Sequence, residues 1–372
     1  MTVRSALLLS LMFLVLPGSV FAQETVLPAD TELPTEQYFP GTVLEILEDR
    51  QEDIGLGVES RLQTVAVKLT DGEFTGEVVA IEYGSVTDDQ ALEVGQQVVV
   101  LAPPNVDMLI FDRYRLPALG AILIAFVILA VVFAGWRGVS SLTGLAVSIL
   151  ILALYTVPQI MAGQSPLLIS FVSAVAIALI SIYLAHGFNR RTSVAVASTL
   201  ITTLLAMVAA RLVVDWAGLT GIGTEEAFYL QTSPTSGINL RGLLLGGIII
   251  GALGVLDDIT TSQAAAVEEI WKADPTVTRQ ELYRRGASVG KEHITSLINT
   301  LALAYVGASL PALLLFTVYQ RPWWVVANTE AIAEEVIRTL VGSLALMVAV
   351  PITTFLAAIW LPRASNDSKV EK

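Results

Sequence analysis

Seven long apolar runs, separated by short polar segments, fill the chain from residue 116 onward. The runs cover residues 116–136, 138–159, 166–186, 192–213, 240–257, 294–319 and 337–361. A helix of about 20 apolar residues is long enough to cross a hydrocarbon core roughly 30 Å thick. The pattern therefore predicts an all-α membrane bundle of about seven transmembrane helices over residues 113–362.

Alternation of polar and apolar residues takes the place of long runs before residue 113. The predicted strands cover residues 38–47, 64–69, 79–83 and 97–102. Asp71 and Gly72 supply a hairpin turn between the second and third of them. Four or five short strands in about 70 residues predict a small β-barrel-like domain of the OB or SH3 type over residues 38–112, because closure removes exposed strand edges.

The N-terminal 22 residues have the three parts of a secretory signal peptide. Arg4 precedes an apolar run at residues 6–16, and small residues stand at the two positions that specify cleavage after Ala22. An uncleaved signal anchor is the alternative, and it would leave the following segment on the same side of the membrane. Residues 23–37 are polar and contain proline, which predicts a flexible leader.

The composition is that of a multi-pass membrane protein, with 54% hydrophobic residues and a mean hydropathy of +0.69. Export of the 38–112 domain places these basic residues inside: Arg137, Arg190, Arg191, Lys272, Arg279, Arg284, Arg285, Lys291, Arg363, Lys369 and Lys372. Basic residues concentrate on the cytoplasmic side of membrane proteins. We therefore expect a plasma-membrane protein with an extracytoplasmic N-terminal domain, a cytoplasmic loop at residues 259–293 and a cytoplasmic tail at residues 363–372.

The net charge of -13 comes from the predicted exported segment, because residues 23–112 hold nineteen acidic residues and three basic ones. This balance argues against nucleic acid as a partner and favours cations or a basic protein surface. Solvation of a small domain explains the same charge without any partner. The chain has no cysteine, which excludes disulfides and thiolate metal sites.

Enzyme signatures are missing from the sequence. The two histidines do not form an HExxH motif, and neither a GxSxG elbow nor a GxxxxGK[ST] loop is present. No cofactor motif is visible either. The sequence therefore predicts a protein that is not an enzyme and binds no organic cofactor.

The fifth apolar run is rich in glycine, with overlapping GxxxG patterns. Its helix-packing candidates are Gly242, Gly246, Gly247 and Gly251. In lipid, such patterns allow close approach of helix backbones. They predict a central position for this helix and say little about its function.

Asp257 and Asp258 follow that run directly and are the first candidates for metal or proton binding. Carboxylate oxygens suit a hard cation such as Mg²⁺, Mn²⁺, Ca²⁺ or Na⁺, and ionisable residues at membrane depth mark functional sites. Adjacent helical residues point about 100° apart, so both can bind one ion only where the helix unwinds. The alternative is that Asp258 or Thr260 caps a new helix and Asp257 is solvated at the membrane edge.

The entrance of the sixth run supplies a second polar group. Glu292, Ser296 and Asn299 recur at i, i+4 and i+7 and share one helix face, with Thr300 beside them. If this face meets the fifth helix, it adds oxygen ligands or a proton path to the acid pair. If it does not, Ser296, Asn299 and Thr300 make interhelical hydrogen bonds.

The 259–293 loop contains two capping-box patterns, Thr260 with Gln263 and Thr278 with Glu281. They predict a short helix over residues 264–272 and a second helix after residue 278. The second helix is expected to continue through Gly286 and Gly290 into the sixth run, where the glycines act as a hinge or as part of a plain connector.

Two segments carry a family resemblance: GALGVLDDITTSQAAAVEEI and GKEHITSLINTLALAYVGASLPALLLF. Together they resemble the signature region of the YibE/F-like family of bacterial multi-pass membrane proteins, and the similarity extends back through GTVLEILED and FDRYRLPAL. The family's polar motif falls on Asp257, Asp258, Ser262, Gln263, Asn299 and Thr300. The resemblance implies a multi-pass membrane protein and no settled biochemical activity.

The predicted function is that of a permease or transporter, with a cation- or proton-responsive polar site between the fifth and sixth helices. Its expected partners are the lipid bilayer and an unidentified ion or small solute. The main alternative is a non-transporting envelope protein whose exported domain docks a partner protein or wall component, and an intramembrane enzyme is a distant third. The sequence assigns no oligomeric state.

Overall fold

A computed structural model describes six stretches of the chain: residues 37–53, 59–85, 88–103, 106–233, 237–318 and 320–362. The predicted signal peptide, nearly all of the predicted leader and the predicted tail lie outside these residues. The chain separates into two compact units, residues 1–129 and 130–372. Each unit has its own core and is described by itself.

The first unit contains a five-stranded antiparallel sheet. Its strands are β1 (Gln37–Asp53), β2 (Glu59–Leu69), β3 (Val78–Ser85), β4 (Gln97–Ala102) and β5 (Leu109–Arg113). The spatial order is β3-β2-β1-β4-β5, and a 3-10 turn at Asp88–Gln90 precedes β4. The predicted hairpin around Asp71 and Gly72 is confirmed as the β2–β3 connection.

The sheet is a curled half-barrel, and the described strands do not close into the predicted barrel. Edge strands β3 and β5 approach each other without pairing. Strand β1 runs six residues beyond its predicted end at Leu47, because register shifts between Val43 and Glu45 and between Ile46 and Glu48 break its alternation. Residues 48–53 stay paired with residues 59–64 of β2 although their sequence is charged and polar.

Alternate residues of the central strands form the core of this unit. Val65, Val67 and Leu69, which the alternation placed on one face, are fully buried. Outside the core, Arg61 donates to both carboxylate oxygens of Asp49, with Nε–Oδ1 and Nη2–Oδ2 distances of 2.8 and 2.6 Å. These bonds hold the pKa of the Asp49 carboxyl below its ordinary value.

The rest of the described chain is helical. The helices are α1 (Leu116–Ala134), α2 (Trp136–Met161, with a π-helical turn at Leu152–Thr156), α3 (Pro166–His186), α4 (Arg190–Ala217), α5 (Glu225–Thr232), α6 (Leu240–Ala273), α7 (Arg279–Ala308), α8 (Leu310–Val318), α9 (Trp323–Ala327) and α10 (Glu330–Trp360).

Three helices form the centre of the second unit. In the most apolar 18-residue segments of α4, α6 and α10, 50%, 56% and 56% of the residues are buried. The three helices pack against one another. Helix α3 packs on α6, α2 packs on α3, and α7 packs on α10 and α6. The prediction of a central fifth span is confirmed, because α6 contacts every one of these helices except α2.

Six of the described helices are long and apolar enough to cross a membrane, and a seventh span results if α7 and α8 are counted together. This is the pattern of a multi-pass membrane protein. The predicted sixth span, residues 294–319, is not one straight helix. Helices α7 and α8 meet at Ser309 with a bend of 55°.

The predicted 259–293 loop is largely helical. Helix α6 passes through Asp257 and Asp258 without a break and ends at Ala273, so the expected helix start at Thr260 and Gln263 is wrong. Thr260 and Gln263 form hydrogen bonds with other helices. These bonds explain why two polar residues with the spacing of a capping box lie inside a helix. The second pattern is confirmed at its N-cap, because Thr278 Oγ1 accepts from Glu281 N at 3.3 Å and α7 continues through Gly286 and Gly290. The Glu281 carboxylate accepts from Arg284 and Arg285.

We call the end of the bundle where α3 meets α4 and α6 meets α7 the basic end. At the opposite end, the Glu330 carboxylate at the start of α10 accepts hydrogen bonds from the backbone of Thr220 at 2.6 Å and of Gly221 at 2.8 Å. Glu334, one turn later, accepts from Gly223 N at 3.0 Å. Gly221 has a φ of +87°, and a side chain there would overlap the carbonyl of Leu240. The α4–α5 loop is thus fastened to the starts of α6 and α10.

Candidate functional site

A cavity of about 310 Å³ opens at the basic end between α2, α3, α4 and α6. Its lining residues are Arg137, His186, Arg191, Thr192, Ala195, Asp258, Thr261, Ser262 and Ala265. The exposed positions of Arg137, His186 and Asp258 show that the cavity is open to its surroundings. Its volume falls in the range of small-molecule sites in proteins.

The cavity combines one carboxylate with several cationic or potentially cationic groups. Arg191 Nη1 lies 3.1 Å from Glu268 Oε2, and Lys272 Nζ lies 3.4 Å from the same oxygen. Glu268 is therefore shared between two cations, and Arg191 keeps further N–H donors for a ligand. Neither Arg137 nor Asp258 forms an ion pair among the described residues.

The α3–α4 connection positions the basic side of this cavity. Asn189 caps α4, because its Oδ1 accepts from Thr192 N at 2.9 Å. The Asn189 Nδ2 donates to the carbonyl of His186 at 2.9 Å. These local bonds bring the last residue of α3 and the first turn of α4 to the same side of the cavity.

A stripe of hydroxyl groups continues from the cavity along α4. Thr192, Thr199 and Thr203 recur at i, i+7 and i+11, so they lie on one face of the helix. Thr199 Oγ1 and Thr260 Oγ1 are 2.7 Å apart across the α4–α6 contact, and both residues are buried. Thr203 Oγ1 is buried and has no hydrogen-bond partner among the described residues. The stripe thus ends at an unsatisfied donor and acceptor inside the bundle.

Gln263 joins three helices at a second polar position. Its Nε2 donates to the carbonyl of Gly286 on α7 at 2.9 Å and to Thr354 Oγ1 on α10 at 2.8 Å. A side chain at Gly290 would overlap Val350 and would come within 3.0 Å of Gln263 Oε1. Gly286 and Gly290 are buried at this crossing, where they allow close packing of α7.

The structure divides the other sequence-predicted residues among different places. Ser262 lies in the cavity with Asp258, whereas Asp257 is half-buried and does not line it. Glu292, Ser296, Asn299 and Thr300 are exposed on α7 and also do not line it.

The acid pair lies on an unbroken helix, so the unwinding that one shared ion requires is not seen. Over the described residues, no three His, Asp or Glu side chains lie close enough together to hold a metal ion.

The four glycines of the fifth run also differ in their surroundings. A side chain at Gly246 would overlap the Ser170 hydroxyl of α3, and one at Gly242 would lie 3.3 Å from Pro166. One at Gly247 would meet nothing within 4 Å, and one at Gly251 would lie 3.9 Å from the Tyr305 hydroxyl. Two of the four glycines therefore mediate the α3–α6 contact.

The sequence interpretation missed the basic side of the cavity. Arg137, His186 and Arg191 stand at the ends of three apolar runs, where basic residues are expected for topology alone. A usable signal was present in the short connection between α3 and α4, which makes these helices antiparallel neighbours. Their shared end then lies beside any helix that packs on both, as α6 does.

Comparison with known proteins identifies the helical part of the chain. The family model described as YibE/F-like protein matches residues 122–363, which is more than half of the sequence. Searches of curated proteins and of solved structures gave no match. The family match includes every residue of the cavity and excludes strands β1–β5 with their GTVLEILED and FDRYRLPAL segments. The chain belongs to the YibE/F-like family.

Proposed function

We propose that this protein is a membrane permease that moves a small polar solute or ion through the helical unit, with the cavity at the basic end as its cytoplasmic vestibule. Asp258 contacts the solute or the coupling ion in this proposal. Ser262, Thr192 and His186 supply further hydrogen-bonding groups.

The observation that carries the proposal is a charged cavity between helices that are apolar enough to span a membrane. Placing ionisable groups in such helices costs free energy, and those that occur there mark solute or ion pathways. Asp258 is eighteen residues after the start of α6, or about 27 Å along a helix that rises 1.5 Å per residue. That distance is close to the thickness of a hydrocarbon core, about 30 Å. Asp258 then stands near the cytoplasmic boundary of the membrane.

The hydroxyl stripe on α4 supports a route from the cavity toward the middle of the bundle. Thr192 lines the cavity, Thr199 follows two turns later, and the buried Thr203 hydroxyl has no partner among the described residues. Each hydroxyl can both donate and accept, so a stripe of them can replace part of the hydration of a passing solute. The carboxylates of Asp257 and Asp258 are the groups at which a proton or a hard cation acts.

Flux through the purified full-length protein in liposomes tests this function. Phosphate, Mg²⁺, Mn²⁺, Na⁺ and H⁺ form the first panel, each followed with a tracer or a trapped dye. We expect at least one of them to move, and Asp258→Asn to reduce that flux at least tenfold. Glu269→Gln is the matched control, because Glu269 is exposed on the same helix and lies outside the cavity.

A folded, reconstituted protein that moves no member of a broad solute panel would overturn the proposal. Equal losses of flux in Asp258→Asn and Glu269→Gln would show that Asp258 has no specific role in transport. A normal melting temperature for each variant establishes that flux losses do not reflect unfolding.

The sheet unit supports a second candidate function, docking of an envelope partner. Tyr38 and Phe111 are 47% and 62% exposed, and their rings form an edge-to-face pair with centroids 5.3 Å apart. Exposed aromatic side chains of this kind are typical anchors of protein interfaces. If docking replaces transport, the unchanged protein moves no solute in liposomes, and Tyr38→Ser with Phe111→Ser abolishes association of the protein with its envelope partner.

A further inference from the structure

The cavity at the basic end has a charge pattern that the acid pair alone does not suggest. Arg137 and Arg191 both line it, against the single lining carboxylate of Asp258. Arg191 also pairs with Glu268, whose carboxylate Lys272 shares. His186 adds an imidazole to the same lining. Planar guanidinium groups with several N–H donors are the side chains best suited to oxyanions.

Two helix N-termini reinforce this positive potential. Arg137 stands in the first turn of α2, which begins at Trp136, and Arg191 and Thr192 stand in the first turn of α4, which begins at Arg190. The N-terminal end of a helix carries a partial positive charge and favours anions within its first turn. The helix dipoles and the arginines therefore act in the same direction on the same cavity.

Asp258 lies in the same cavity and would repel a fully deprotonated anion. A carboxylate is only a hydrogen-bond acceptor, so it needs an O–H or N–H donor from the ligand. Thr192, Thr261 and Ser262 are neutral hydroxyls and can either donate or accept. A ligand that satisfies both sides must offer acceptor oxygens to Arg137 and Arg191 and a proton to Asp258.

We infer that the cavity binds a small oxyanion that keeps a proton, of the hydrogen phosphate type. Its oxygens accept from Arg137 and Arg191, and its O–H donates to Asp258. Sulfate, which has the same shape and no proton at neutral pH, is rejected because its oxygen would face the Asp258 carboxylate without a hydrogen bond. A membrane phosphodiester is rejected for the same reason, since its phosphorus has two ester bonds and no hydroxyl.

This inference rests on the proposed function for its physiological meaning, because the oxyanion is then the solute that is moved. Binding and movement are measured separately. Phosphate binding without flux would support the oxyanion site and contradict the permease function. Flux of another solute without phosphate binding would support the permease function and contradict the oxyanion site.

The first experiment measures the melting temperature of the full-length protein in phosphatidylcholine nanodiscs at pH 7. Inorganic phosphate at roughly ten times its Kd is expected to raise the melting temperature by about 3 °C. Potassium sulfate at matched ionic strength is expected to give no shift. Equal shifts with both salts would overturn the inference, because they would reflect ion exclusion or general screening.

Arginine variants separate the cavity from the general charge of the basic end. Arg137→Gln is expected to abolish the phosphate shift with little effect on folding, because Arg137 is exposed and forms no ion pair among the described residues. Arg279→Gln removes the same charge from the first residue of α7, outside the cavity lining. It is expected to keep the phosphate shift, and loss of the shift in both variants would contradict a local site.

Asp258→Asn tests the part of the inference that concerns the ligand proton. An amide can donate to a deprotonated oxygen, so this variant is expected to respond to sulfate as well as phosphate. An unchanged preference for phosphate would overturn the role of Asp258.

Lipid headgroups are tested by adding phosphatidylglycerol to the nanodiscs. Retention of this lipid that depends on Arg137, without any response to phosphate, would assign the cavity to a phosphodiester and overturn the inference.

Discussion

Gln263 shows how much a single buried residue contributes to the arrangement of the bundle. Its amide donates to the backbone of α7 and to a hydroxyl of α10, although Gln263 itself belongs to α6. The residue is only 1% exposed. A buried amide of this kind fixes three helices at one point, because each of its polar atoms is costly to leave without a partner.

Gln263→Leu keeps the side-chain volume and removes both hydrogen bonds. We expect the protein to lose about 2 kcal/mol of stability, since two bonds and the hydration of their partners are affected. For a unit of this size, the melting temperature in detergent should fall by about 5 °C. Gln280→Leu is the control, because Gln280 is exposed on α7. Equal effects of the two changes would contradict a special role for Gln263.

At the residue scale, the sequence singled out two residues that the structure places in one cavity, and it missed their partners. The family resemblance singled out Asp258, Ser262 and Gln263, and the first two do line one cavity. Arg137 and Arg191 escaped notice because their signal is identical to that of topology-determining residues. The partners of Gln263 are distant in sequence, and a single sequence contains no direct information about such contacts.

Helix α6 is the central element of the helical unit. It is continuous over 34 residues, and its buried face contacts α3, α4, α7 and α10. The apolar run predicted only its first half, because hydropathy falls at Asp257 while the helix does not end there. The first four spans were predicted within a few residues, since each apolar run is long enough to leave no alternative to a helix. Helix α7 begins fifteen residues before the predicted sixth span, and α10 begins seven residues before the predicted seventh.

Two adjacent glycines of α6 allow a matched test of the α3–α6 contact. Gly246→Ala places a methyl group against Ser170 and the backbone of Pro166, so we expect a loss of about 1–3 kcal/mol in stability. Gly247→Ala meets nothing within 4 Å and is expected to be neutral or to stabilise the helix by up to about 1 kcal/mol. Thermal unfolding in detergent measures both changes. A larger loss of stability in Gly247→Ala than in Gly246→Ala would contradict a close approach of α3 at Gly246.

Over the part of the chain that the structure describes, the molecule has two kinds of core that share no residue. Phe39, Val43, Val65 and their neighbours form the core of the sheet unit, and the helical unit has three apolar clusters of its own. The sequence anticipated this division from the change between alternation and long apolar runs. It did not anticipate the open sheet, because pairing of edge strands depends on curvature that alternation does not encode.

Two leucines provide a test of this independence by calorimetry. Leu69 and Leu346 are both fully buried, the first in the sheet core and the second in the helical core. We expect two unfolding transitions, with Leu69→Ala lowering one and Leu346→Ala lowering the other, each by about 2–5 kcal/mol of stability. A single transition that moves equally in both variants would show that the units unfold together.

The length of α6 gives it the properties of a lever arm. At 1.5 Å per residue, its 34 residues reach about 51 Å, which exceeds a hydrocarbon core of about 30 Å. Its first residue abuts Gly221 in the fastened α4–α5 loop, and Asp258 lies more than halfway along it. A tilt of about 10° around this fastened first turn would displace Asp258, about 27 Å away, by about 5 Å. A small rotation of α6 about its fastened start would therefore change the width of the cavity mouth, whereas a rotation about its middle would not.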